Sequence, residues 1–405
     1  MTTMLPDTQY DVPARSSPWA LFGIFLRLGL TCFGGPAAHI GYFREEFVQR
    51  RRWLDEHTYS DIVALCQFLP GPGSSQVGIA IGRIRGGVLG AVAAWLGFTL
   101  PSVVLLVAFG YGYRHMGHTW SVQLLHGLKV AAVAVVAQAV WSMGRTLCPD
   151  RSRATIAVIA TLVVTVLGAT AGQIVAIVLA GVAGATLLKT ATDMPKAPAG
   201  MPGTKRGAVI CLATFVALLI GLPLAASWAH VYWLDLFSSF YRVGSLVFGG
   251  GHVVLPLLQA VVVPRGWVSN NEFLAGYGAA QAIPGPLFTF AAFLGAIGRG
   301  VPSGPAGAAL ATLAIFLPSF LLVGSALPLW GKLRTFAPMR RAMAGINAAV
   351  VGILLAALYD PVWTSAVHSA IDFCIAVLAL LLLTWWRLPS WAVVLITAAV
   401  TWAIT

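Results

Sequence analysis

Two arginines, Arg27 and Arg242, stand inside otherwise apolar stretches of the chain, and Lys129 stands in a third. An ionisable group at membrane depth is costly and faces a protein interior or a water-filled path. A guanidinium presents a planar fork of donors that suits oxyanions; the competing structural role is snorkelling to a headgroup. No acidic residue sits deep in an apolar stretch apart from Asp372. The sequence therefore offers these cations no evident carboxylate, and an anionic ligand would supply the missing charge. Near each arginine the chain is broken by glycine and proline, at Gly34-Gly35-Pro36 and Pro70-Gly71-Pro72, then at Gly249-Gly250 and Pro284-Gly285-Pro286. A helix restarting after such a break aims unpaired N–H groups and the positive end of its dipole at whatever lies ahead. Ser74, Ser75 and Thr289 can add hydroxyl donors. Gln67 and Gln281 precede the two Pro-Gly-Pro breaks and can bond either the broken backbone or a ligand. His252 follows the second glycine tip and His39 the first, where either could carry a proton or sit as a hydrogen-bonded buried side chain. The expected chemistry is oxyanion binding by Arg27, Gly34, Gly35, Gln67, Gly71, Ser74, Ser75, Arg242, Gly249, Gly250, His252, Gln281, Gly285 and Thr289, with Lys129 and His39 as secondary candidates.

Covalent chemistry has no signature. P-loop, HExxH and GxSxG patterns are missing, which argues against direct ATP drive and against an enzyme. The five cysteines form no CxxC and have no histidine cluster, so neither a metal nor a disulfide framework is expected. No cofactor is expected.

The elements that would hold such a site are membrane helices. Of 405 residues, 58% are hydrophobic and 9% charged, against about 25% charged in a soluble domain, and the mean hydropathy is +0.84. The fold class expected is an all-α polytopic membrane protein whose main partner is the lipid bilayer. The net charge of +12 would suggest nucleic acid in a soluble chain; here cytoplasmic loops account for it, and no nucleic acid is expected. Residues 1–17 are polar, with no cleaved signal expected, and form a cytoplasmic tail. Apolar segments lie near 18–40, 61–82, 86–110, 120–142, 154–169, 171–188, 207–229, 236–258, 273–297, 304–330, 340–358, 362–386 and 389–404, with a Pro- and Gly-rich linker over 193–206.

An internal repeat emerges at an offset of about 215 residues. Phe25, Arg27, Gly29 and Phe33-Gly34-Gly35 match Phe240, Arg242, Gly244 and Phe248-Gly249-Gly250. Trp53 matches Trp267, Gln67 with its Pro-Gly-Pro matches Gln281 with the second, Arg85 matches Arg299, and Leu100-Pro101-Ser102 matches Leu317-Pro318-Ser319. The organisation expected is a tail (1–17), an N-terminal repeat (18–190), a linker loop with a linker helix (191–235) and a C-terminal repeat (236–405). One extra crossing between the repeats would invert the second. The basic loop 44–52 violates the positive-inside rule unless segments 18–40 and 61–82 turn back, and their counterparts with them. Broken or re-entrant hairpins are therefore expected, with Thr58 or Ser60 capping the second.

The motifs Phe33-Gly-Gly-Pro36, Gln67-Phe-Leu-Pro-Gly-Pro72, Phe248-Gly-Gly-Gly-His252 and Gln281-Ala-Ile-Pro-Gly-Pro286 resemble the chromate ion transporter (CHR) family, in its long two-domain form. The resemblance covers nearly all of the chain. It implies a multi-pass protein of the bacterial cell inner membrane that exports chromate and confers chromate resistance. It also implies duplication of a half-size ancestor and antiparallel halves. A sulfate transporter, a passive anion channel and, in another class, a membrane-embedded chromate reductase are the competing expectations. Assembly as a homodimer stays open.

Overall fold

The computed structural model describes residues 16–115, 122–188, 203–248, 251–330 and 336–404. The described residues form helices and contain no strand. The first half comprises α1 (Pro18–Thr31), α2 (Gly35–Arg44, continued by a π turn over Glu45–Arg50), α3 (Glu56–Phe68), α4 (Gly73–His115), α5 (Val122–Leu147), α6 (Arg151–Leu167) and α7 (Ala169–Leu187). After α8 (Lys205–Ala229) the second half runs through α9 (Tyr232–Leu246), α10 (Val254–Val262), α11 (Asn270–Ala282), α12 (Phe290–Ile297), α13 (Gly304–Ala326), α14 (Ala337–Ala357), α15 (Ala370–Thr384) and α16 (Ser390–Ile404). Among the described residues five helices, α4, α5, α8, α13 and α14, are long and apolar enough to cross a membrane.

The breaks fall where glycine and proline put them, and the chain reverses at each. Helix α1 has 14 residues, about 21 Å at 1.5 Å per residue, and a bilayer core is about 30 Å thick. Neither α1 nor α2 crosses alone. They lie side by side, with the Phe25 ring stacked on Phe47 at 5.2 Å and edge-on to Phe43 at 5.7 Å. The second half repeats this hairpin, Arg265 beyond α10 donating to Ser239 on α9 at 2.6 Å. Helices α11 and α12 also fold back, with Phe273 edge-on to Phe290 at 5.0 Å. Gly34 carries the first reversal, at φ +97, a left-handed conformation that costs an L side chain about 1–2 kcal/mol. The long α4 is kinked at Gly86 and Gly87, so its 73–85 arm belongs to the α3 hairpin and 88–115 forms the span.

Local signals set the helix starts. Asp55, rather than Thr58 or Ser60, caps α3, its carboxylate accepting from the Thr58 N–H at 2.9 Å. At the matching place in the second half Ser269 and Glu272 cap α11 reciprocally. Apolar burial drives helices together weakly in lipid, so close backbone approach through small residues carries the packing. Gly29 brings α1 against α4, where an added Cβ would lie 2.7 Å from the Phe98 carbonyl. Gly244 brings α9 against the Ile315 carbonyl of α13 in the same way. The linker helix α8 remains at the periphery, with 11% of its most apolar window buried, and displays Val209, Ile210, Ile220 and Leu224 outward. The predicted linker lies largely outside the described residues.

Gly285 has φ +99, and a Cβ there would collide with Ser102 Oγ. Gly285→Ala should cost at least the left-handed penalty of about 1–2 kcal/mol and lower the thermal midpoint of the purified protein. Gly221→Ala, on the open face of α8 with nothing within 4 Å, should leave it unchanged. Equal midpoints for the two variants would contradict the tip geometry.

Candidate functional site

The two halves meet tip to tip and complete each other's backbone. Gly71 N–H, in the first Pro-Gly-Pro, donates to the Val247 carbonyl at the end of α9, 2.6 Å away. Gly285 N–H, in the second, donates to the Cys32 carbonyl at the end of α1, 3.0 Å away. Gly71 matches Gly285 and Cys32 matches Val247 in the repeat, so the two bonds are one bond exchanged between halves. Side chains extend the reciprocity. Ser102 Oγ on α4 donates to the Pro284 carbonyl at 2.8 Å, while its counterpart Ser319 on α13 would lie 3.0 Å from a Cβ at Gly71. Gln76 donates to the Pro70 carbonyl at 2.6 Å.

Beside the crossed tips lies a chamber of about 20 Å³ lined by Gly34, Gly35, His252, Gln281, Gly285 and Ser390, among others. That volume suits about one water molecule. Gln281 is 8% exposed and its amide nitrogen has no partner. His252 Nδ1 is 3.0 Å from the Tyr277 hydroxyl. Gly34 and Gly35 both have positive φ and open the N-terminus of α2 onto the chamber. Donors thus converge on a small pocket with no acidic side chain in its lining.

Other expected residues fall elsewhere. Gly249 and Gly250 lie outside the described residues. Ser74 and Ser75 are buried at the start of α4, where Ser74 Oγ is 3.3 Å from His39 Nδ1. The Thr289 hydroxyl donates to the Pro286 carbonyl at 2.7 Å, so its hydrogen is committed to the turn. Gln67 is exposed, and the buried amide at the first tip is Gln76 instead, which spacing did not single out. Lys129 Nζ reaches Asn271 Oδ1 at 3.3 Å, apart from the tips. His126 lies 2.7 Å from Asp372, which also belongs to the capping box of α15.

Arg27 departs from expectation, because it does have a carboxylate. Its Nη2 is 2.5 Å from Glu46 Oε2, and Arg50 and Arg51 reach the same side chain at 3.0 and 2.6 Å. Glu46 sits one turn before the end of the α1–α2 hairpin, where chain reversal lays it beside Arg27; a linear segment plot does not bring the two together. Burial works against its ionisation, but the guanidiniums of Arg51, Arg27 and Arg50 outweigh it and hold its carboxyl below the ordinary 4.5. A depressed carboxyl contributes stability that is full above its unfolded value and lost as pH falls through its folded value. Breaking a buried pair costs about 3–5 kcal/mol, an upper bound here because the Arg27 side chain is 47% exposed. Glu46→Gln should lower the thermal midpoint at pH 7 more than Glu56→Gln, which breaks an exposed pair with Arg44 worth about 0–1 kcal/mol. The Glu46→Gln deficit should vanish in a melting series carried well below pH 4.5; a deficit independent of pH would contradict the ion cluster.

Comparison with known proteins points the same way as the repeat. The family model described as "Chromate transporter" matches residues 19–185 and again 234–402. A chromate transport protein of Pseudomonas aeruginosa is 30% identical over 365 residues, covering 87% of this chain and 83% of the relative. One from Cupriavidus metallidurans is 28% identical, covering 93% and 90%, and a probable chromate transport protein of Synechococcus elongatus is 28% identical, covering 88% and 87%. No solved structure matches. With two copies of the family's repeat and several membrane-crossing helices, this multi-pass membrane protein belongs to the chromate transporter family.

Proposed function

We propose that the chain is a secondary transporter that carries chromate out of the cell across the bacterial inner membrane and so confers chromate resistance. The observation that carries this proposal is the chamber between the crossed tips, where an unpartnered Gln281 amide and the opening of α2 converge without an acidic neighbour. Broken helices meeting near the middle of an inverted pair are a common plan for substrate sites in secondary transporters. The orientation follows the positive-inside rule, with the 44–52 loop inside and Arg265 outside. The relatives' names supply the substrate.

A dianion leaving an inside-negative cell gains about 2.3 kcal/mol per charge per 100 mV, or about 4.6 kcal/mol in all. Export therefore needs no further coupling ion. A chamber with room for about one water molecule must widen to admit an oxyanion, which favours a carrier whose tips part over a passive channel. Donors without an acidic neighbour suit any small oxyanion, so sulfate is the natural competitor.

Everted membrane vesicles test the proposal. Chromate should enter them in a saturable manner, driven by an interior-positive potential, with competition from sulfate. Loss of a hydrogen bond to a charged group costs about 1.5–3 kcal/mol, so Gln281→Leu should reduce chromate uptake by about tenfold or more while the protein remains in the membrane. Uptake equal to that of vesicles lacking the protein would reject chromate transport. Ohmic current at channel rates would reject the carrier.

A further inference from the structure

The repeat also identifies a second place for an anion. Arg27, Arg51 and Trp53 of the first half match Arg242, Arg265 and Trp267 of the second. Between these anchors Glu46 falls at Ala260 or Val261. Three guanidiniums enclose the Glu46 carboxylate in the first half. In the second half the carboxylate is gone and a cavity takes its place. Arg242, Ala260, Val261 and Gln173 are among the residues lining this space of about 30 Å³.

Gln173, near the start of α7, is 2% exposed, and its amide nitrogen has no partner. Among the described residues no carboxylate lies within ion-pair distance of Arg242 or Arg265. Arg265 is close enough to Arg242 to repel it, and is held by Ser239 at 2.6 Å and by the Trp267 ring at 4.9 Å. Gln173 and Ala260 also line an adjoining cavity of about 250 Å³, which gives the narrow end an approach wide enough for a small oxyanion.

The polar groups of the approach restrict where the anion can rest. Gln259 donates to Asn270 and Asn270 to Ser365, both at 2.7 Å, so those amide nitrogens already have acceptors. Asp360, exposed at the outer end, accepts from the Thr364 hydroxyl at 3.1 Å and repels negative charge. The attractive end is the one formed by Arg242 and Gln173.

We propose that Arg242 and Gln173 bind a small tetrahedral oxyanion, sulfate or chromate, at the position the Glu46 carboxylate fills in the first half. Glu46 is in effect a tethered anion that displays the binding mode. One half carries its counter-ion within the chain, and the other takes it from solution. An uncompensated cation in a low-dielectric interior is costly, and the bound anion relieves that cost. The site lies apart from the tip chamber and deepens the transport proposal, on which it rests for the identity of the anion.

Sulfate binding to the purified full-length protein in maltoside micelles tests the site. It is measured by equilibrium titration in the Gln281→Leu background, which disables the tip chamber. Sulfate should still bind there, and Gln173→Leu or Arg242→Gln should weaken it by about tenfold or more. Ala260→Glu restores the internal carboxylate; it should abolish sulfate binding while keeping or raising the thermal midpoint, which separates occupancy of the site from misfolding. Sulfate affinity in Ala260→Glu and Arg242→Gln equal to that of the parent would overturn the proposal. So would binding that appears only when phosphatidylglycerol is added, which would assign the pair to a lipid headgroup. Everted vesicles separate the two proposals. Normal chromate uptake by wild type, together with unchanged sulfate affinity in Ala260→Glu and Arg242→Gln, leaves transport standing and removes this site. Sulfate binding that follows the expected pattern in a protein that moves no chromate keeps the site and removes chromate as the cargo.

Discussion

The structure depends on a backbone hydrogen bond made twice. A helix broken inside a membrane leaves N–H and C=O groups that lipid cannot satisfy, and buried backbone groups are almost always paired. Here each half supplies what the other lacks: Gly71 N–H meets Val247, and Gly285 N–H meets Cys32. Glycine is required at those positions because the backbone turns through positive φ and the Gln76 amide at Gly71 and the Ser102 hydroxyl at Gly285 leave no room for a Cβ. The chamber beside the tips is therefore a consequence of how the breaks are satisfied. It cannot be rebuilt without altering the contact that joins the halves.

The repeat is symmetric in its backbone and asymmetric in its charge. Arg27 and Arg242 occupy equivalent positions, yet one is neutralised by Glu46 and the other faces a cavity. Duplication preserves glycines, prolines and caps, whose roles are geometric. It leaves single side chains free to diverge.

Much of the architecture was legible in the sequence. Glycine and proline mark their own positions, so the breaks after Phe33 and Leu69 and their counterparts could be read directly. The repeat then tied each break to its partner. The charge excess of the 44–52 loop implied that the chain turns back, and Phe25 stacked on Phe47 shows the hairpin. Long-range pairing was not legible. Glu46 is 19 residues from Arg27 and meets it only through the reversal. Gln173 and Ser390 reach their places through helix crossings that carry no local signal, whereas Gln76 bonds the Pro70 carbonyl within its own tip. The cap of α3 was missed for a simpler reason: Asp55 precedes the apolar run by more residues than Thr58 or Ser60, and a carboxylate caps as well as a hydroxyl.

The proposed path for cargo runs where the tips of the two halves touch. A Cβ built on Gly251 lies 3.1 Å from Pro36 Cγ, across the junction. The most direct measurement is chromate uptake into everted vesicles by a Pro36→Cys, Gly251→Cys protein, before oxidation, after it and after reduction. Uptake on that path should stop when the disulfide forms and return when it is reduced, because the tips must part for each cycle. Undiminished uptake with the two cysteines fully cross-linked would contradict it.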